Sequence, residues 1–478
     1  MDEAKFKEVL KKALIQSNQE LIDNCKFDEL YEKFNREEAP YLTAVLLKSG
    51  INPLPHMSSV VNCMYQGLDI LDINEIVIPA NISRIGRDAF CGCAQLENII
   101  VDAGNDEYKS IDGNLYSIDG KTLIQYAIGK KEKEFIIPEG VEYIGRGAFA
   151  NSVNLEKITI PEGIYLADRA FFGCHSLKKV IIADNATEIT MGSYVFSECS
   201  ALEEVYVGEN VSFDINAFSK CVSLKKVTLN KTMAIAGGQF AGCSSLPEIV
   251  LPEGLKSIGQ DAFDDCGQLT KIVVPDIVEE IYGGVFDFCP KLKYYEYEGG
   301  YYLGNDANNF VALVKIKDDA VKNFIIHKRT KIIYSSVFYG CENLENITIP
   351  ESVVCIGISA FKECQSLQLV KFVKNTAIKT IHDEAFMDCE KLETVELPCD
   401  GNELFVGLDA FNGCYNLGRF YVKSEKYGIR AVRKVCNNLK ITYWTMSVLL
   451  YAKRDDKLPL GNYWYYDKDD DIVAWTKD

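Results

Sequence analysis

The chain has 478 residues, of which 51 are Lys or Arg and 69 are Asp or Glu, and its net charge is −18. A negative surface repels phosphates, so this charge argues against general binding to nucleic acids or anionic membranes. No apolar stretch reaches the 18 or so residues that a membrane-spanning helix needs, and 47% hydrophobic residues are enough to build a core.

The first 70 residues are predicted to form a helical N-terminal cap. Residues 1–14 read MDEAKFKEVLKKAL, which is typical of an amphipathic helix and not of a signal peptide. Phe27, Leu30 and Phe34 share one face of a second predicted helix. The sequence therefore favours a cytoplasmic protein, with display at the cell surface or secretion as the alternative.

A repeat of 22 to 25 residues follows, interrupted twice by longer spacings. Its most regular member is a phenylalanine, found at Phe90, Phe149, Phe171, Phe196, Phe218, Phe240, Phe263, Phe286, Phe338, Phe361, Phe386 and Phe411. A cysteine stands three residues after each of these except Phe149, and a leucine follows three residues later. Next comes an alternating apolar segment, often closed by proline, as in Leu344-x-x-Ile-x-Ile-Pro350. So many coincident positions predict a repeat architecture.

The alternating segment predicts a short strand with one buried face, and the proline ends it. One coil of about 23 residues cannot bury its own apolar face, whereas stacked coils share one core. We therefore predict a repeat solenoid of the α/β type with about 15 coils and a parallel inner β-sheet, spanning residues 71–423.

The repeating unit resembles the BspA-like leucine-rich repeat, which occurs in bacterial and protist surface antigens. The motif is I-x-I-P-x-x-V-x-x-I-G-x-x-A-F-x-x-C-x-x-L, and residues 155–174 (LEKITIPEGIYLADRAFFGC) illustrate it. The resemblance extends over about residues 76–422. It implies a curved leucine-rich-repeat superhelix that binds proteins, and relatives of this kind usually carry a secretion signal.

The two long spacings predict irregular coils that carry β-hairpins, near residues 103–133 and 298–322. In the first, Asp-Gly occurs at 112–113 and again at 119–120 between apolar segments, which is a hairpin signal. Residues 298–322 have a similar composition, so we expect the same structure there.

Residues 424–478 contain all three tryptophans and are predicted to form an aromatic-rich C-terminal cap over the last coil. A module that binds an aromatic ligand is the alternative. Asp467, Asp469 and Asp471 resemble the start of a calcium loop, but Ile472 stands where that loop requires glycine. A solvated acidic turn is therefore favoured.

The cysteines and histidines provide no pattern for catalysis or metal binding. The chain has 17 cysteines but no C-x-x-C pair, and the repeat cysteines are interpreted as buried, reduced core residues. The four histidines lack metal-ligand spacing, and His382 replaces a glycine of the repeat, which indicates a turn residue. We predict no catalytic, cofactor-binding or metal-binding residues, and hence no enzyme.

The concave face of the inner sheet is the predicted interaction surface. Alternate residues of each inner strand point outward, and between the third and eighth leucine-led strands they combine apolar and aromatic groups with Lys and Glu, as protein interfaces do. The candidate protein-binding residues are Ile181, Glu204, Tyr206, Lys226, Thr228, Glu248, Val250, Lys271, Val273 and Tyr294. The sequence thus predicts a monomeric, non-enzymatic scaffold for an unknown protein partner. The alternative is a surface-displayed or secreted adhesin that binds host or extracellular proteins.

Overall fold

The computed structural model describes residues 60–61, 74–85, 90, 93–373, 377–398, 404–417, 419–423, 447–451, 461–466 and 472–477. Every regular element in these ranges is a strand, and they contain no helix of the length and hydropathy that a membrane crossing requires. Apart from residues 60–61, the predicted helical cap lies outside the described residues. The repeats form a solenoid of parallel strands with about 14 turns, and the predicted count of 15 stays a prediction.

The chain divides into two compact units. The first unit comprises Met1–Glu248, Ala262–Leu269 and Phe286–Pro290, and the second comprises Ile249–Asp261, Thr270–Val285 and Lys291–Asp478. The regular turns contribute a longer strand of three to five residues after the repeat leucine, and most turns add a shorter strand of two or three residues before the repeat phenylalanine.

The described part of the chain opens with two pairs of parallel strands. They are β1 (Val60–Val61), β2 (Glu75–Ile78), β3 (Arg84–Ile85) and β4 (Asn98–Val101). Strand β1 pairs with β3, and β2 pairs with β4. In β2 the residues alternate between exposed and buried, as the sequence predicts for an inner strand.

The first insert is an antiparallel meander of three strands. They are β5 (Tyr108–Ile111), β6 (Asn114–Ser117) and β7 (Thr122–Gln125). Strand β6 pairs antiparallel with both neighbours, so the predicted hairpins are confirmed. Asp112 and Gly113 connect β5 to β6 with φ values of 49° and 69°, the positive values that a two-residue hairpin loop of type I′ requires.

The rest of the first unit stacks parallel strands. They are β8 (Glu134–Phe135), β9 (Tyr143–Ile144), β10 (Lys157–Ile160), β11 (Tyr165–Leu166), β12 (Lys179–Ile182), β13 (Ile189–Met191), β14 (Glu204–Val207), β15 (Val211–Phe213), β16 (Lys226–Leu229) and β17 (Ala234–Ile235). The two-residue strand β8 and the longer strands β10, β12, β14 and β16 form one five-stranded sheet in that order. The short strand β9 pairs with β7 of the insert, and β11 pairs with β9.

The next strands lead into the second insert. They are β18 (Glu248–Val250), β19 (Ser257–Ile258), β20 (Lys271–Val273), β21 (Glu280–Ile281), β22 (Tyr295–Tyr297), β23 (Gly300–Leu303) and β24 (Ala312–Ile316). Strands β22, β23 and β24 form a second antiparallel meander. This insert begins earlier than predicted, because β22 was expected to be an inner strand and instead pairs antiparallel with β23.

The remaining turns belong to the second unit. Their strands are β25 (Asn323–Phe324), β26 (Ile332–Ile333), β27 (Asn346–Ile349), β28 (Cys355–Ile356), β29 (Leu369–Phe372), β30 (Thr380–Ile381), β31 (Thr394–Pro398), β32 (Phe405–Val406) and β33 (Arg419–Lys423). Strand β24 of the insert pairs in parallel with the short strand β26. The two inserts are therefore alike, because the last strand of each meander pairs with a row of short strands. After each insert a new sheet that contains the longer strands begins, at β8 in one case and at β25 in the other.

Within the region of the predicted C-terminal cap, three strands are described. They are β34 (Ser447–Tyr451), β35 (Gly461–Tyr466) and β36 (Ile472–Lys477). They continue the sheet of β25, β27, β29, β31 and β33, and the final pair is antiparallel. The predicted packing of aromatic side chains and the acidic turn lie outside the described residues.

The repeat phenylalanines form the core. All twelve are buried, and in the first unit Phe149, Phe171, Phe196, Phe218, Phe240 and Phe263 form a continuous stack. Their ring centroids are 4.5 to 5.6 Å apart. The second unit has an equivalent stack from Phe338 to Phe411. The phenylalanines thus form a ladder in the shared core of each unit, and each buried ring contributes roughly 1.5–3 kcal/mol of hydrophobic stabilisation.

The turns around successive phenylalanines are connected by a ladder of backbone hydrogen bonds. From Phe149 to Phe411, the residues two positions before and two positions after the phenylalanine all have positive φ. In most of these turns the N–H groups of these residues and of the phenylalanine donate to carbonyls of the next turn, as Arg169, Phe171 and Gly173 do to Ser193, Val195 and Ser197. The buried turn backbone is thereby satisfied from one coil to the next, as a stable interior requires.

Candidate protein-binding surface

The five-stranded sheet of the first unit presents a row of side chains that are exposed or half-buried. In β10, β12 and β14 the residues alternate between a more exposed and a buried position. Parallel register sets Thr159, Ile181, Tyr206 and Thr228 side by side across four strands. Ile136 directly follows β8 and is 83% exposed. We call Ile136, Thr159, Ile181, Tyr206 and Thr228 the central row.

A ladder of charged residues borders the central row at the beginning of the strands. The Nζ of Lys157 lies 2.7 Å from a carboxylate oxygen of Glu134. Glu204 accepts from Lys179 at 2.7 Å and from Lys226 at 2.8 Å. The hydrogen bonds from Lys179 and Lys226 lower the pKa of Glu204 to about 2. The carboxylate therefore stays ionised over the physiological pH range.

A second ladder runs beside the first and consists of the residues that directly precede the strands. Glu156 lies between Lys133, at 2.9 Å, and Lys178, at 2.8 Å. Hydrogen bonds from Lys178 and Lys133 lower the pKa of Glu156. Glu203 pairs with Lys225 at 3.2 Å. Because opposite charges pair along both ladders, the border of the central row is largely neutralised within the protein itself.

The structure places the predicted site residues in three locations. Ile181, Glu204, Tyr206, Lys226 and Thr228 come together on the sheet of the first unit. Tyr206 is 38% exposed, while Ile181 and Thr228 are half-buried.

The other predicted residues lie beyond that sheet. Glu248 is exposed and begins β18, at the end of the first unit's main segment. In the second unit Val250 is 63% exposed, Lys271 is exposed and Val273 is half-buried. These three belong to β18 and β20.

Tyr294 lies against the second insert. Its ring is 6.0 Å from that of Tyr301 on β23, and the Nζ of Lys315 on β24 lies 4.3 Å from its centroid. These contacts amount to a cation–π cluster on the face of the antiparallel meander. Sequence reasoning placed Tyr294 on a parallel inner strand, because the leucine-led pattern continues through β22.

Two exposed isoleucines were missed. Ile136 and its counterpart Ile325, which is 62% exposed, each follow the first strand after an insert. The sequence does predict their exposure. In the segments Phe135-x-Ile137 and Phe324-x-Ile326 the named residues mark inward-facing positions, and strand alternation makes the residue between them outward-facing. Ile136 extends the apolar part of the central row.

The repeat cysteines are reduced and buried, as predicted. In addition, nine of the eleven repeat thiols donate a hydrogen bond to the carbonyl of the repeat phenylalanine in the preceding turn, as Cys221 does to Phe196 at 3.2 Å and Cys243 does to Phe218 at 3.3 Å. Burial raises the pKa of Cys243 to about 12. Such thiols are poor nucleophiles and poor metal ligands at neutral pH. In the described ranges, no three His, Cys, Asp or Glu side chains cluster as metal ligands would.

His382 is buried and lies between β30 and the turn that starts at Asp383. It follows β30, is 9% exposed, and its ring lies 5.3 Å from that of Tyr282. Burial lowers its pKa, although the nearby carboxylates of Glu280 and Asp383 act in the opposite direction. Its contacts are structural ones within the second unit.

Comparison with known proteins identifies the repeat. The family model of the BspA type leucine rich repeat region matches in six copies, over residues 65–117, 126–237, 212–317 and 316–440. No curated protein matches the chain.

Several solved structures are similar to it. A leucine-rich repeat protein from Bacteroides ovatus is 21% identical, with 81% of this chain and 86% of that chain covered and a TM-score of 0.40. A leucine rich cell surface protein from Faecalibacterium prausnitzii is 25% identical, with 73% and 95% covered and a TM-score of 0.37. A leucine-rich repeat protein from Eubacterium ventriosum is 22% identical, with 61% and 59% covered and a TM-score of 0.35.

Proposed function

The chain belongs to the BspA-type leucine-rich repeat family, and on that premise we propose that it is a non-enzymatic scaffold that binds a protein partner through the central row. The family consists of repeat scaffolds that are generally without enzymatic activity. We propose further that the chain acts as a monomer and that the partner lies across the face that the sequence predicts to be concave.

The central row, bordered by the charge ladders at the beginning of its strands, is the observation that carries this proposal. Tyr206 and Ile136 expose apolar surface, and the neighbouring lysines and glutamates are already paired. A partner therefore covers apolar surface without stripping water from unpaired charges, which is the costly part of burying ions. This favours a partner with apolar and aromatic contact groups, surrounded by a polar rim.

Site-specific photo-cross-linking tests the proposal. A benzophenone amino acid replaces Tyr206, and the matched control replaces Tyr339, which is 48% exposed on a turn of the second unit. We expect a discrete adduct from position 206 and none from position 339 in extracts of the source organism. The cross-linked protein is then purified and its affinity is measured directly. Ile181→Lys with Tyr206→Glu should weaken binding by at least about tenfold, and Tyr339→Glu should not.

An unchanged affinity of the Ile181→Lys, Tyr206→Glu variant would contradict the proposal. So would adducts that form equally from both positions, because they would reflect random encounters.

A surface-displayed or secreted adhesin is the second candidate, favoured by the family, whose members are typically protein-interaction or surface proteins. Both candidates use the same face and differ in where the partner resides. Protease treatment of intact source cells separates them. Cleavage of the chain from outside supports the adhesin, and protection until lysis supports a cytoplasmic scaffold.

A further inference from the structure

A groove of about 430 Å³ lies along the turns of the first unit, away from the central row. Residues from three positions of the turn line it, two before, one after and two after the repeat phenylalanine. The position directly after the phenylalanine holds small residues in three successive turns, Ser197, Ser219 and Ala241. Phe172 and Asp264 hold this position in the turns on either side. We call this feature the turn groove.

Small side chains at this position are a local property. The equivalent residues of the second unit include Tyr339, Lys362 and Met387. Ser197 and Ser219 are buried, and their hydroxyl oxygens are 2.8 Å apart in a hydrogen bond. Because each hydroxyl already has a partner, covering this part of the groove leaves no polar group there without one.

The two ends of the turn groove carry opposite charges. At one end the Arg169 guanidinium lies 5.5 Å from the ring centroids of both Phe172 and Tyr194. Within the described part of the chain it has no ion-pair partner. At the other end Asp265 is exposed, and its carboxylate has neither an ion pair nor a hydrogen bond there.

The charges between these ends cancel. Lys220 and Glu198 form an ion pair of 3.0 Å. The groove therefore presents to a ligand the Arg169 cation beside two aromatic rings, a neutral middle section and the Asp265 carboxylate. Contact with both rings restricts the exposed Arg169 side chain, so pairing with an anion requires less further ordering of it.

We propose that the turn groove binds an extended peptide segment with an acidic side chain at the Arg169 end and a basic side chain at the Asp265 end. Four steps of 5.1 to 5.6 Å between stacked phenylalanine rings separate the two turns, or roughly 20 Å at the strand spacing of a sheet. An extended chain rises about 3.3 Å per residue. The two charged residues of the peptide therefore stand about five or six positions apart.

Fluorescent peptides in which Glu and Lys are separated by one to about nine Ser or Ala residues provide the probe. Both orders, Glu first and Lys first, are measured by anisotropy with the full chain. We expect the tightest binding at about four or five spacer residues in one order, and at least about tenfold weaker binding with a single spacer. Absence of binding by every peptide, or affinity that does not depend on spacing, would overturn the proposal.

Ala241→Tyr fills the groove, and the fold accepts tyrosine at the equivalent position, Tyr339. We expect about tenfold or greater loss of peptide affinity with an unchanged melting temperature. The control is Asn412→Tyr, which has the same place in another turn and should bind as the wild type does. Equal affinity of Ala241→Tyr and wild type would refute the site.

A double-mutant cycle tests the charge assignment. Replacing the peptide Glu by Gln should weaken binding to the wild type about threefold to tenfold and should have no effect on Arg169→Gln. Likewise, replacing the peptide Lys by a neutral residue should weaken binding to the wild type about threefold to tenfold and should have no effect on binding to Asp265→Asn. Tyr206→Glu should leave peptide affinity unchanged, so failure of this site and failure of the proposed partner surface are separate outcomes.

Discussion

Single residues in the turns are held in the left-handed region, where only glycine is free of strain. The position two before the repeat phenylalanine is occupied by Arg169, Tyr194, Asn216, Gly238 and Asp261 in successive turns, all with φ of 56° to 60°. For residues other than glycine this conformation costs roughly 1–2 kcal/mol. Glycine is required for a second reason at Gly238, because a Cβ there would overlap the Asn216 side-chain oxygen of the preceding turn.

Gly238→Ala is therefore expected to destabilise the protein by about 1–3 kcal/mol, from backbone strain and from displacement of Asn216. Urea denaturation measures the change. Gly254→Ala is the matched control, because Gly254 lacks a positive φ and nothing lies within 4 Å of its added Cβ. The control should be neutral or slightly stabilising. Equal midpoints for the two variants would show that the turn does not impose this conformation.

The repeat cysteines show how far residue-level prediction reaches. Their regular spacing predicts burial, and Cys174, Cys199 and Cys221 are all fully buried. The pattern does not reveal that each thiol donates to a phenylalanine carbonyl. Periodicity identifies which residue faces the interior, whereas a hydrogen bond depends on atomic positions in the turn before it.

At the scale of elements, the turn chemistry and the parallel pairing of the repeat strands were predictable, and the pairing of the insert strands was not. Asp112-Gly113 marks a hairpin in the sequence and forms one in the structure. The third strand of each meander pairs with a short strand of the next turn, which the sequence did not indicate. The pairing of an insert strand depends on how the coils stack, and its own segment carries no signal for it.

The charge ladder beside the central row makes a testable contribution to acid stability. Lys179 and Lys226 lower the pKa of Glu204 to about 2 in the folded protein, below the usual 4.3 of an unfolded chain. This stabilisation is complete above about pH 5 and is lost as the pH falls toward 2, because protonation breaks both pairs. Glu204 is near the surface, so solvent screening limits the contribution to about 1 kcal/mol or less.

Glu204→Gln should thus lower stability at pH 7 and flatten its decline between about pH 5 and pH 2. Urea midpoints measured across this range provide the readout. Glu248→Gln is the control, since Glu248 is exposed at the start of β18 and has no ion pair among the described residues. Identical pH profiles for the two variants would show that the ladder does not stabilise the sheet.

At the scale of the whole molecule, the repeat made the solenoid predictable and left its surfaces undetermined. Phenylalanine, cysteine and leucine recur because every turn has to bury the same three positions. The central row and the turn groove arise at positions that vary between turns, such as Tyr206 beside Thr228, or Ala241 where another turn has Tyr339. In a single sequence this variation between turns has no recognisable pattern. The structure shows that the varying residues of neighbouring turns lie side by side and form a surface.

The phenylalanine stack should carry much of the stability of the first unit. Phe263 is fully buried and stacks on Phe240 at 5.6 Å, so Phe263→Ala leaves a cavity that costs about 3–5 kcal/mol. Each turn contacts mainly its neighbours, and amide exchange should therefore accelerate first in the turns beside Phe263. Phe288→Ala is the control, because Phe288 is 79% exposed and contributes little to the core. A melting curve of Phe263→Ala that matches this control would show that the stack is not the source of stability, whereas a large global loss with uniform exchange would show that the turns of the unit unfold together.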